Sequence, residues 1–239
     1  MGASKRRKAE IERRKRITTG LRNKRIYHGT VELVAQDILN GGTLRPRGDK
    51  PSTWDARNLA SRKNCVYLTD LYGVHYAMQT IIQSRKTGKD CPKAAVIEMD
   101  YTQFDRNNFL ADEDFMAMVN WAVNHEGKNG EKHREEYEET VRYYVENDAG
   151  AHKVWLKSLL HFGTVAHRGD IPRNAITRIA IISAPAIVGI RYETYKDDDL
   201  WKVIFNPTPD NLTQTQQFQG SLTHTIFDTP HPEVQVIRL

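Results

Sequence analysis

Only two cysteines occur in 239 residues, Cys65 and Cys91, and they lack metal-ligand spacing. That scarcity favours a reduced, intracellular (cytoplasmic) setting over a disulfide-stapled one. No apolar run approaches the roughly 20 residues of a membrane helix, so no membrane partner is expected. The basic, polar N-terminus has no apolar h-region, and a secretory signal is not expected there. The histidines are scattered without a His-Glu-x-x-His pattern. Asp112-Glu113-Asp114 lacks the glycine and ligand spacing of a calcium loop, and an acidic helix start accounts for it. No metal site is expected. There is no internal repeat, no Rossmann fingerprint and no regular βαβ series, which argues for α+β rather than a doubly wound sheet.

What is present is a moderate apolar supply with uneven charge. Hydrophobic residues make up 39% of the chain and its mean hydropathy is −0.64, enough for one large domain with polar tails. Residues 1–25 hold eleven Lys or Arg against two Glu, a net +9. The whole chain carries +5, so the remainder sums to −4. A basic arm over 1–24 is therefore expected to be flexible and to screen phosphates, which favours nucleic acid over an acidic protein partner. An ordered domain is expected over 25–205. A polar, loose C-terminal tail is expected over 206–239, where Thr, Gln, Pro and Asn dominate.

Within the domain, Ile26-Tyr27-His28 reads as a strand, with Thr30 as N-cap of the helix after it. Val31, Val34, Ala35 and Ile38 fall at i, i+3, i+4 and i+7, one buried helical face that Gly41-Gly42 ends. A second strand is expected at Cys65–Asp70 and a helix at 72–84. The almost unbroken apolar run Ala94–Met99 suggests a central strand, with Glu98 turned to solvent near its end. Helices are expected around 114–125 and 131–147, and Trp155, Leu156, Leu159 and Leu160 mark another amphipathic piece. Thr164–His167 is a short strand before Arg168-Gly169-Asp170, Ala175–Ile182 a later one, and a hairpin is expected over 192–205.

The stretch Tyr27-His28-Gly29-Thr30 carries the chemistry. A His can bond a ribose hydroxyl, a Gly lets the backbone approach a carboxamide, and the spaced Tyr67 and Tyr76 can sandwich an aromatic ring. Together these describe a nicotinamide pocket, and hence NAD. Each residue also has a plainer use. Tyr67 and Tyr76 sit at strand and helix positions suited to core packing, Arg45 before Pro46 suits a solvated loop, and His167 suits the surface.

In order along the chain come Tyr27-His28-Gly29-Thr30, Gly42-Thr43-Leu44-Arg45, Val66-Tyr67-Leu68-Thr69-Asp70 and Tyr76. This ordered set resembles the His-Tyr branch of the ADP-ribosyltransferase superfamily, which includes the poly(ADP-ribose) polymerases and diphtheria-type toxins. The resemblance spans roughly residues 26–182 and implies a split β-sheet core with helices. It would have His28 bond the nicotinamide-side ribose and Gly29 present its backbone to the carboxamide. Tyr67 and Tyr76 would stack on the nicotinamide ring, Arg45 would reach the adenine or pyrophosphate end, and Thr30 would assist at the ribose.

One family element differs. A glutamate usually opens a late strand of this fold, and matching the downstream Gly-x-Ile-Pro to Gly169-Asp170-Ile171-Pro172 puts Thr164 there. A hydroxyl accepts a hydrogen bond but is no carboxylate base near pH 7. The resemblance then implies transfer of a single ADP-ribose to a macromolecule, nucleic acid (DNA or RNA) before protein, with Thr164 and His167 as the nearby polar groups. Two other activities share the features. RNA 2′-phosphotransferases also carry a Tyr-His-Gly-Thr strand and use NAD, and a non-catalytic NAD- or ADP-ribose-binding module would keep the pocket without turnover.

Overall fold

A computed structural model of the protein describes residues 25–49, 61–86, 88, 93–113, 115, 151–183, 220 and 222–239. The basic arm, the hairpin expected over 192–205 and the helices expected over 114–125 and 131–147 lie outside these residues, Phe115 excepted. The architecture is mixed helix and antiparallel sheet. None of the described helices is long and apolar enough to cross a membrane.

Two compact units form. The first takes the chain up to Thr43, from Thr69 to Gln103 and from Pro172 onward; the second takes Leu44–Leu68 and Phe104–Ile171.

The first unit is built on β1 (Arg25–Val31), β3 (Lys93–Asp100), β6 (Ile176–Ser183) and β7 (Val234–Arg238), adjacent in that order. All pair antiparallel, with His28 opposite Ile97, Gly29 opposite Val96, Ile97 opposite Ile179 and Ile181 opposite Gln235. Residues 94–99 of β3 are all buried, so both faces of this strand are covered, as its continuous apolar run predicts. Burying Ile97 and Ile179 fully contributes about 1.5–3 kcal/mol each before chain entropy is charged against it.

Helix α1 (Glu32–Leu39) buries Ala35 and Ile38, the face its spacing predicts. Its N-cap, however, is Val31, which offers no side-chain hydrogen bond. Thr30, expected in that role, is a buried strand residue, because β3 pairs with β1 through to Val31 and keeps the chain extended past Thr30. Gly41 ends the helix at φ +100°, a conformation that opposes any β-carbon. The Arg173 guanidinium donates to the carbonyls of Ile38 and Gly42, a cation at the helix C-terminus.

Helix α2 (Gly73–Lys86) packs on β1 and β3. Thr69, the last residue of β2, opens it: its Oγ1 accepts the N–H groups of Leu71 and Tyr72 at 3.0 and 2.8 Å. Val74, Ala77, Met78 and Ile81 meet Tyr27, Val31, Ala94, Val96, Ala180 and Ile182 in one core. Ile226 and Phe227 complete that core from a helical segment, 222–228.

A loose tail to the end of the chain is therefore not what forms. Polar composition concealed two anchors: the apolar pair Ile226-Phe227, and Val234–Arg238, whose backbone extends the sheet at β6. Glu98 is corrected as well. It is buried, and Arg178 grips it with Nε–Oε1 at 2.7 Å and Nη2–Oε2 at 2.6 Å. Arg178 Nη1 then reaches Asp228 at 3.1 Å, and Arg25 Nη1 reaches the same carboxylate at 2.9 Å.

In the second unit β2 (Cys65–Thr69, through Leu68), β5 (Thr164–Arg168) and β4 (Phe109–Leu110) lie in that order. Phe109 pairs with His167 and Leu110 with Ala166. Helix α3 (Ala151–Phe162) covers β4 and β5 with Trp155 and Leu159, two residues of its expected apolar stripe. Two backbone bonds clip the loops together: Gly169 N–H to Asn64 O and Ile171 N–H to Leu44 O, both 2.9 Å.

Candidate functional site

In the first unit the chain brings Gly29 of β1 against the backbone of Tyr76 on α2. A β-carbon on Gly29 would lie 2.2 Å from the Gly73 carbonyl oxygen, 2.3 Å from Ala77 N and 2.9 Å from the Tyr76 carbonyl carbon. The first turn of α2 therefore rests directly on the strand at Gly29, and only glycine admits it. Gly73 answers from the helix side, where a β-carbon would come within 2.9 Å of Val96 Cγ1 and 3.2 Å of Tyr27 Cβ. Alternation along β1 turns Tyr27 and Gly29 toward α2 and turns His28 to the other face. The hydrogen-bonding groups of Gly29 lie in the sheet plane, perpendicular to the side that α2 fills.

Tyr76 is half-buried and has company not foreseen from the sequence. Its ring meets His75 edge-on at 5.5 Å and Tyr72 at 6.0 Å, and Tyr72 and His75 lie 6.2 Å apart. The signal was available, since Tyr72, His75 and Tyr76 share adjoining faces of one helix at i, i+3 and i+4. Tyr27 plays a different part. It is fully buried, its hydroxyl lies 2.9 Å from His224 Nδ1 and its ring stacks on Phe227 at 5.7 Å. It belongs to the core.

In the second unit Tyr67 is half-buried, and its hydroxyl accepts the Arg62 N–H at 2.7 Å. Burial, then the charge of neighbouring Glu113 and its contact with the phenol, hold the Tyr67 hydroxyl well above the usual range, so it is a neutral donor. Glu113 is buried and 3.0 Å from Arg62 Nε. That approach is an ion pair by distance, and the Tyr67 phenol hydrogen-bonds the same carboxylate. The acidic helix start expected at 112–114 is thus, at Glu113, an enclosed carboxylate held between a guanidinium and a phenol.

Thr164 opens β5 at 2% exposure, and its hydroxyl has no partner among the described residues. Its carbonyl accepts Ser158 Oγ at 2.8 Å, and the same Oγ accepts the Asp112 N–H at 3.0 Å. A single buried hydroxyl thus ties the start of β5 to the residue before Glu113.

His167, expected at the surface if not at the site, is instead 2% exposed between aromatic rings. Phe104 meets it edge-on at 5.1 Å and Phe109 at 5.5 Å, and Phe109 stacks on Trp155 at 4.7 Å. Burial lowers its pKa against the opposing pull of the Gly169 backbone and Asp105, so it is a neutral imidazole in an apolar cage. Arg45 is the solvated extreme: its side chain is 68% exposed and 3.9 Å from Asp170, itself 58% exposed, a pair screened by water.

No three His, Cys, Asp or Glu side chains converge as a metal site among the described residues. No family model matches the chain. A search of curated proteins returns no match either. Within the first unit, Tyr76 sits on a helix that rests on a glycine; within the second, Tyr67 adjoins an enclosed carboxylate.

Proposed function

We propose that the chain is an NAD-dependent mono-ADP-ribosyltransferase that releases nicotinamide and modifies a macromolecule, nucleic acid first. The observation that supports this reading is the packing of α2 on Gly29, which brings the Tyr76 backbone against the strand that carries His28. Half-buried tyrosine rings and the neutral Tyr67 phenol suit a ligand with a flat amide-bearing ring and ribose hydroxyls.

Bound NAD supplies an ADP-ribosyl group activated by its nicotinamide leaving group. His28 bonds the nicotinamide-side ribose, with Thr30 assisting. Gly29 offers its backbone to the carboxamide, Tyr67 and Tyr76 hold the ring, and Arg45 serves the phosphate or adenine end. Held in this way the leaving group is fixed before reaction, and rigid dipoles rather than water meet the developing charge. The basic arm supports the nucleic-acid preference through counterion release, so binding should weaken steeply with salt.

Thr164 in place of a glutamate favours one alternative, a module that binds NAD or ADP-ribose without turnover. RNA 2′-phosphotransfer is the other. Incubation with labelled NAD and DNA, RNA or protein separates them. Label on the acceptor supports transfer, nicotinamide release with loss of an RNA 2′-phosphate indicates the phosphotransferase, and binding without release indicates the module. Unchanged NAD turnover in both His28→Ala and Tyr67→Ala would defeat the pocket.

A further inference from the structure

We propose that His224 is a pH-sensitive latch: neutral, it clasps the C-terminal segment 222–238 to β1, and once protonated it lets that segment open while β1, β3 and β6 stay paired. The device lies wholly within the first unit and stands whether or not the chain uses NAD.

The latch is one hydrogen bond with a set direction. Burial holds the Tyr27 phenol above its usual range, so it keeps its proton and donates, while Arg25 donates to the phenol oxygen. The Tyr27 hydroxyl lies 2.9 Å from His224 Nδ1, with the rings edge-on at 5.5 Å. With a guanidinium on the oxygen, the phenol hydrogen turns to Nδ1, the bare nitrogen of a neutral imidazole. A protonated ring puts an N–H there instead, and two hydrogens meet.

Charge works in the same direction. The groups facing His224 are Arg25 and Tyr27 from β1, Glu98 from β3, Arg178 from β6 and Asp228 one turn along its own helical segment. The two carboxylates already hold the two guanidiniums: Arg178 grips Glu98 at 2.6 and 2.7 Å and Asp228 at 3.1 Å, and Arg25 reaches Asp228 at 2.9 Å. A third cation enters a cluster whose charges are matched. His224 is half-buried rather than sealed, so protons reach it from solvent. Burial, then the Arg25 charge, hold its pKa below the usual histidine range. Its hold is therefore complete above about pH 6.5 and is lost as pH falls toward the folded value.

What the latch steadies is the opening of α2. Thr223, the residue before it, donates its hydroxyl to the Leu71 carbonyl at 2.6 Å, and a β-carbon at Gly73 would come within 3.1 Å of its Cγ2. Leu71 and Gly73 lead into the turn that rests on Gly29. Opening can stay local, because β7 ends the strand order and its side chains are half-buried or exposed, leaving the apolar hold to Ile226 and Phe227. The bland alternative is a permanent anchor, which would hold equally at either pH.

The test reads amide hydrogen exchange of the full chain at about pH 7.5 and 5.5, as protection relative to the free-peptide rate at each pH. Protection over 222–238 should fall about five- to tenfold at the lower pH, while that over β3 changes by less than about twofold. His224→Gln, whose amide does not titrate, should keep its protection at both. His231→Gln, in the same segment but with Nδ1 accepting the Glu233 N–H, should lose protection as the wild type does, and a missing acid response there overturns the proposal. Equal protection at both pH values in the wild type overturns it, as does a full acid loss in His224→Gln. A loss that β3 shares in full also overturns it, since the whole unit would then be unfolding. If His224→Gln does not fold, Arg25→Gln decides: with one opposing cation gone the acid loss should shrink by about half or more, and an undiminished loss overturns the latch.

Discussion

The Gly73 carbonyl oxygen lies 2.2 Å from the point that a β-carbon on Gly29 would occupy. Gly29 is therefore required by the fold whether or not its backbone meets a ligand. The atoms in the way are backbone, so no side chain can swing aside. Gly29→Ala should destabilise the protein by about 3 kcal/mol, the upper end for overpacking, in urea unfolding without NAD. Unfolding at the wild-type midpoint would mean that the helix does not rest on the strand there.

Glu98 and Arg178 form a two-point clasp at 5% and 13% side-chain exposure. Removing one partner strands the other charge. Glu98→Gln should destabilise by about 3–5 kcal/mol, and the double change Glu98→Met with Arg178→Met by clearly less. Equal losses in single and double variants would show that the pair is not coupled.

The caged His167 sets a pH dependence. Its folded pKa is depressed, so its contribution to stability is complete above the unfolded value of about 6.5 and is lost as pH falls from there toward the folded value. His224, also depressed, chiefly by burial, acts with the same sign. Unfolding free energy should therefore decline below about pH 6.5, by up to about 1.4 kcal/mol per pH unit for each histidine. His167→Leu should reduce that slope and change stability at pH 7.5 by less than about 1.5 kcal/mol. A slope unaffected by the substitution would remove His167 as its source.

The parts of the fold legible in the sequence were those with local cause. Val31, Val34, Ala35 and Ile38 announce the buried face of α1, the run Ala94–Met99 announces a strand covered on both sides, and Gly169 at φ +79° ends β5 where its neighbours suggest. What stayed hidden depends on partners far along the chain. Tyr27 is core because of His224 and Phe227, and Glu98 is buried because Arg178 and Arg25 reach it. Val234–Arg238 has a strand's alternation for too few residues to stand out from the polar region before it, and only β6 gives it a place.

At the candidate site the sequence offered residues without their surroundings. Gly29 was expected to make room for a ligand, and the described structure gives it a helix to accommodate. Thr30 read as a cap because threonine before an apolar period usually is one, and strand pairing outweighed that local preference. Glu113 read as part of an acidic helix start; Arg62 and Tyr67 enclose it, and no spacing rule connects those three positions.

Tyr27 and His224 touch across 197 positions of sequence, and Arg25 and Asp228 across 203. A ribosome adds roughly 5–20 residues per second, so β1 emerges roughly 10–40 s before the segment that completes its core. During that interval Ile26 and Tyr27 have neither β3 nor β6 nor Phe227 in final form, and a short apolar strand waits with its edges open. Such high contact order slows folding and exposes the nascent chain to misassociation. The first of the described strands to be made is among the last to be finished.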